Sequence, residues 1–279
     1  MARIRKLFAA LSRRGPHRVL RGDLAFACLP GVVYTPEAGL NLPAVAFGHD
    51  WLTSADRYVG LLEHLASWGI VAGAPDTQRA LAPSVLSLAY DLGTTLDIVT
   101  GVRLGPGQIS VHPAKRGVVG HGFGASAAVF AAAGMPAKPA AAAALFPTVT
   151  SPAPDQPATS LRVPGLILTT KEDPHTLNSN ASELAQKWDT ATLRVVHKAR
   201  PAGLIEGRYL MKAVGLSGPH RATQRSVRAL LTGYLLYTLG GDDEYRAFAD
   251  PDARLPRTDP PDPESPPVTR EEKLVALLK

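Results

Sequence analysis

From Leu42 onward, short apolar runs alternate with stretches whose apolar positions recur at helical spacing. Residues 43–47 read as a buried strand, followed at once by Gly48, His49, Asp50 and Trp51. Val59, Leu61, Leu62, Leu65 and Trp68 mark a helix closed by Gly69, and residues 70–74 form a second strand that ends at Pro75 and Asp76. A helix over 86–102, a strand over 116–119 and a helix of small residues over 125–133 come next. Strands at 140–146, 163–169 and 193–196 precede a last helix through Val227, Leu230, Leu231, Tyr234 and Leu235. Such alternation predicts the α/β class, with a doubly wound, mostly parallel sheet covered by helices on both faces.

The flanks differ from this body. Residues 1–22 carry seven Lys and Arg and no acid, which leaves 23 cations against 24 acids in the rest of the chain. The formal charge of +6 is therefore a property of the arm, which argues against a nucleic-acid face on the fold itself. Within the arm, Ile4, Leu7, Phe8 and Leu11 form an apolar helical stripe among Arg3, Arg5 and Lys6. That pattern suits either packing on the body or peripheral contact with an anionic membrane. At the other end, residues 251–267 hold seven prolines with Asp252, Asp259, Asp262 and Glu264, an extended acidic linker by composition. Thr269 and Glu272 then stand in capping-box spacing before an apolar stretch that predicts a short helix. The expected organisation is an arm (1–22), one domain (23–250) and a Pro-rich tail (251–279).

No apolar run is long enough to span a bilayer, because Pro136, Lys138 and Pro139 break the Ala-rich stretch. A cytoplasmic location, with peripheral membrane contact as its variant, is the expectation. The single cysteine, Cys28, has no disulfide partner and reads as an apolar core filler, and the eight histidines show no metal-binding spacing. No metal and no cofactor are expected.

The most informative loop runs from Gly117 to Ser126, GVVGHGFGAS, where a strand enters a glycine-rich turn and small residues begin a helix. One chemistry of that shape is the dinucleotide fingerprint, matched loosely by Gly120, Gly122 and Ala125. It needs an acid about 20 residues on for the ribose, yet none occurs between Asp97 and Asp155. The other is the nucleophile elbow, GxSxG, a sharp strand-to-helix turn that presents a serine at the sheet edge.

The second shape has company along the chain. PAVAFGHDW, HLASWG, VAGAPD, GHGFGAS and VPGLILTTKEDP follow one another between residues 43 and 174, within a likeness of element order that spans roughly residues 30–240. In order and wording they resemble the α/β-hydrolase fold, in its dienelactone hydrolase, chlorophyllase and polyester-hydrolase-like branch. The resemblance implies a sheet of the α/β-hydrolase type and a carboxylic-ester hydrolase, but the triad is degenerate. Gly122 stands at the serine position, so no nucleophile is present there. Asp173 falls at the triad-acid position. Pro201 falls at the histidine position, so the base is absent. Asp50 replaces the glycine usual after the strand histidine, and the resemblance places the oxyanion-hole donors on the backbone of Trp51 and Phe123.

Other groups can be asked to fill the gaps. Ser126 reads as a packing residue, His121 as a core histidine behind the elbow, His49 as a structural strand-end histidine, and His175 as a histidine able to orient toward Asp173. Trp51, Leu204 and Met211 are candidates to fill the pocket. In a Ser-His-Asp hydrolase the loss of Ser or His alone costs on the order of a millionfold in turnover. The expected function is therefore a non-catalytic hydrolase relative, binding an apolar acyl, ester or lipid-like ligand or a protein partner through Asp50, Trp51, His121, Phe123 and His175. An ester hydrolase with displaced catalytic groups and a peripheral membrane scaffold are the alternatives.

Overall fold

The computed structural model describes residues 2–173, 176–207 and 218–259. Along the chain run α1 (Ala2–Leu11), β1 (Val19–Asp23), β2 (Gly31–Pro36), β3 (Gly39–Gly48), α2 (Val59–Ser67), β4 (Val71–Pro75), α3 (Val85–Gly101) and β5 (Ile109–His121). They continue as α4 (Phe123–Gly134), β6 (Ala141–Leu145), α5 (Asp155–Thr159), β7 (Gly165–Thr169), α6 (Ala181–Lys187), β8 (Ala191–Val196), α7 (Arg221–Thr238) and β9 (Thr258–Asp259). The strands form one nine-stranded sheet in the order β1-β2-β4-β3-β5-β6-β7-β8-β9. Pairing is antiparallel at β1·β2, β2·β4 and β8·β9 and parallel elsewhere. The fold is a doubly wound, mostly parallel α/β sheet.

The central strands are apolar throughout because both of their faces are covered. Val45 and Phe47 of β3, with Leu166 and Leu168 of β7, face a core completed by α1, α2 and α7. Ala46 and Ile167, one residue out of phase, face a second core completed by α3, α4, α5 and α6. This period-two split explains why each strand reads as a short continuous run rather than an alternation.

The N-terminal arm belongs to the first of these cores. Phe8 and Leu11 are buried among Tyr58, Leu62 and Leu65, while Ile4 and Leu7 pack at the margin. The indole Nε1 of Trp68 donates to Arg13 O at 3.1 Å, and the amide of His17 donates to Ser67 O at 3.0 Å. Residue 22, the end of the basic arm in sequence terms, lies inside β1. Among the described residues no helix is long and apolar enough to cross a membrane.

Several elements differ from expectation. The antiparallel pair β1·β2 precedes the first strand legible in the sequence, and β5 begins at Ile109 rather than near 116. The early half of β5 runs beside the start of β3 across register shifts, with partly exposed His112 and Lys115 masking its strand character. The Pro-rich segment supplies β9, whose Thr258 and Asp259 pair with β8. The helix expected near 269–278 lies outside the described residues. Cys28 is not a core residue: it is exposed, with φ 61°, and ends the turn Leu24–Ala27 that buries Leu24 and reverses the chain toward β2.

Candidate functional site

Because β3 through β8 are parallel, their carboxyl ends share one edge of the sheet, where ligands bind in folds of this class. Asp50 follows β3, Gly122 follows β5, Asp173 follows β7 and Pro201 follows β8. The Gly48↔Gly120 register sets the first two turns side by side.

Gly122 makes the sharp turn between β5 and α4 at φ 54°, ψ −116°, a conformation closed to residues with side chains without strain. The turn is also tight on its flank, since a Cβ on Gly124 would lie 2.2 Å from Gly48 O. α4 thereby starts directly against the end of β3, with the amide of Phe123 aimed across it.

Asp50 occupies the space this turn leaves. Its Oδ1 accepts from the amide of Trp51 at 2.8 Å and from the amide of Phe123 at 2.9 Å. A Cβ on Gly122 would stand 2.0 Å from that same oxygen and 2.4 Å from Asp50 Cγ. The carboxylate therefore sits where a side chain on residue 122 would begin, and it engages two backbone N–H groups at once.

The backbone beneath Asp50 is fixed as well. Its amide donates to Tyr58 Oη at 3.1 Å, and Tyr58 Oη lies 2.8 Å from His121 Nδ1. His121 is buried and edge-on to the rings of Tyr58 and Phe146. His49 is fully buried, with Nδ1 lying 2.9 Å from Asp50 O and Nε2 2.7 Å from Thr77 O. Both partners are carbonyls, so the ring serves to hold the loop. Tyr58 carries no sequence signal of this role; it reads only as the residue before a helix.

The remaining candidates stand apart from this knot. Ser126 is fully buried and its Oγ donates to Thr148 O at 3.1 Å, a packing role. Trp51 does not fill a pocket: its side chain is half exposed, and its Nε1 donates to Leu81 O at 3.1 Å. Leu204 is buried, whereas His175 and Met211 lie outside the described residues.

Asp173 is buried and held by its own turn. Its Oδ2 accepts from Thr169 Oγ1 and from the Thr170 amide at 2.8 Å, and its Oδ1 accepts from Thr170 Oγ1 at 2.9 Å. The two threonines, unremarked in the sequence, take hydrogen-bonding directions of the carboxylate. Pro201 opens a short turn, Pro201–Leu204, against which His220 packs: its amide donates to Gly203 O at 2.8 Å, and its Nδ1 lies 2.8 Å from Thr223 Oγ1. Burial, and secondarily the neighbouring Arg200, lower the His220 pKa. Among the described residues no cluster of three or more metal-ligating side chains forms.

Chemically, this edge of the sheet holds a carboxylate in a two-amide seat, a sharp glycine turn from strand to helix and an acid engaged by threonines. A scan against protein-family models matches none, and a comparison with curated proteins finds no match.

Proposed function

We propose that the chain is a non-catalytic relative of the α/β-hydrolases that acts by binding rather than by ester hydrolysis. The fold class, the strand-to-helix elbow at Gly122 and the placement of the Trp51 and Phe123 amides support the kinship. The observation that carries the non-catalytic reading is the double hydrogen bond from those amides to Asp50 Oδ1. An ester carbonyl developing negative charge needs those donors, and a carboxylate already on them opposes it by like charge and by occupancy. Ser126 and His121 do not replace the missing groups, because each is buried in a packing role.

What is bound is apolar at its point of contact. Beside Asp50, Trp51 and Leu52 are 50% and 43% exposed, and Leu81, whose carbonyl holds the indole, is 79% exposed. An apolar small molecule or an apolar segment of a protein partner matches such a rim.

The test is steady-state hydrolysis of p-nitrophenyl esters from acetyl to palmitoyl, with Asp173→Ala as control. Rates no higher than those of an unrelated protein at equal concentration are expected. Saturable turnover that collapses in Asp173→Ala would overturn the proposal in favour of displaced catalytic groups.

A further inference from the structure

The end of the sheet opposite Asp50, where the parallel strands begin, carries an uncompensated positive charge over a broad area. α1 reaches this end through the bonds that tie Arg13 and His17 to the close of α2. With Phe8 and Leu11 buried, the arm's outward side shows Arg5, Lys6, Arg13 and Arg14, all exposed and none in an ion pair among the described residues. The turns that enter β5, β6 and β7 add exposed Arg103, Lys138 and Arg162. Lys138 and Arg162 bond only to carbonyl oxygens, which leave their charge in place.

The acids on the same end are fewer, and several are engaged. Glu37 pairs with Arg18 at 3.6 Å, Glu244 with Arg3 at 3.3 Å and Asp97 with the buried Arg116 at 3.1 Å; Asp189 is exposed before β8, and Asp242 and Asp243 are exposed in the turn after α7.

We infer that this end of the molecule docks on the anionic surface of a lipid bilayer. The cations range from Arg18, before β1, to Arg162, before β7, six strand spacings or about 30 Å apart. That breadth matches a plane of headgroups rather than a single small anion. Two exposed apolar side chains share the same end, Leu40 at 61% on the first residues of β3 and Val102 at 36% beside Arg103. Apolar groups among cations suit shallow entry into an interface, where each cation gains from the surface potential and each apolar group from leaving water. The docked state of α1 makes the contact a property of the folded face rather than of a free amphipathic helix inserting its stripe.

The experiment is flotation of the full chain with vesicles of phosphatidylcholine alone or with 30% phosphatidylglycerol, across a salt series. The fourfold variant Arg5→Gln, Lys6→Gln, Arg13→Gln, Arg14→Gln is compared with Arg221→Gln, Arg225→Gln, which removes exposed cations from the opposite end. Thermal melting checks that both fold. Binding confined to the anionic vesicles, weakened at least tenfold by the fourfold variant and by 0.5 M salt but not by the Arg221, Arg225 variant, is expected; Leu40→Ser weakens it further without changing its salt slope. Absence of binding, equal binding to both vesicles, indifference to the fourfold variant, or tighter binding to duplex or single-stranded nucleic acid than to vesicles would each overturn the inference.

Discussion

The carboxylate of Asp50 and the missing side chain of Gly122 are complementary: a Cβ on the glycine would come within 2.0 Å of Asp50 Oδ1. The acid and the glycine thus form one arrangement, in which the carboxylate fills the space that a side chain at position 122 would take.

Gly122→Ala should accordingly destabilise the protein, through the clash and through φ 54°, by about 1–3 kcal/mol. In an Asp50→Gly background the clash is gone and only the backbone strain remains. Urea unfolding of the two single variants and the double is expected to give a favourable coupling of about 1 kcal/mol or more. Strict additivity would show that the carboxylate and the elbow do not share space in solution.

Asp50 also holds two amides together, and hydrogen bonds to charged groups contribute roughly 1.5–3 kcal/mol. Asp50→Ala should cost about 2 kcal/mol of unfolding free energy, and Asp50→Asn, which keeps an acceptor but no charge, about half that. The amides of Trp51 and Phe123 should exchange with solvent deuterium faster in the alanine variant. Unchanged exchange at both would mean that Asp50 does not occupy them.

His64 gives a pH signature. It lies buried beneath α1, and burial, then the charge of Arg228, lower its pKa from 6.5 to about 4, partly offset by a bond to the Leu11 backbone. The unfolded chain therefore binds the proton first, and the contribution of neutral His64, fully present above pH 6.5, is lost as pH falls from 6.5 toward 4. The loss is about 3 kcal/mol over that window. Chemical unfolding at pH 7 and pH 4 should show the wild type losing about that much more than His64→Gln. Equal losses would remove the assignment.

The arm should behave as part of the fold. Leu11 is fully buried, so Leu11→Ala is expected to cost about 2–5 kcal/mol, whereas Arg5→Gln on the same helix should stay within about 0.5 kcal/mol. Similar effects from both would place α1 off the body.

The sequence made the central strands legible because residues such as Val45, Ala46 and Phe47 are apolar on both faces, a pattern few other settings produce. β1 and the first half of β5 escaped notice for the opposite reason. Arg21 of β1 is exposed and Lys115 of β5 is partly exposed, so neither segment shows a clean period. At the site, Gly122 and Asp50 could be read as departures, but not as partners. That relation depends on the Gly48↔Gly120 register, which brings residues 73 positions apart into hydrogen-bonding contact. Tyr58 joins the Asp50 backbone to His121 through one hydroxyl, and no local pattern around it announces this.

On the proposed kinship, the Thr169–Thr170–Asp173 turn has a consequence for any attempt to build a catalytic triad into this chain. Three donors already engage the Asp173 carboxylate, out of about four lone-pair directions it possesses. An imidazole grafted at position 201 would meet an acid whose negative charge is largely shared out, and would compete with hydroxyls that lose nothing by staying. The loop is complete without a histidine, so installing a triad here means loosening a settled turn as well as adding side chains.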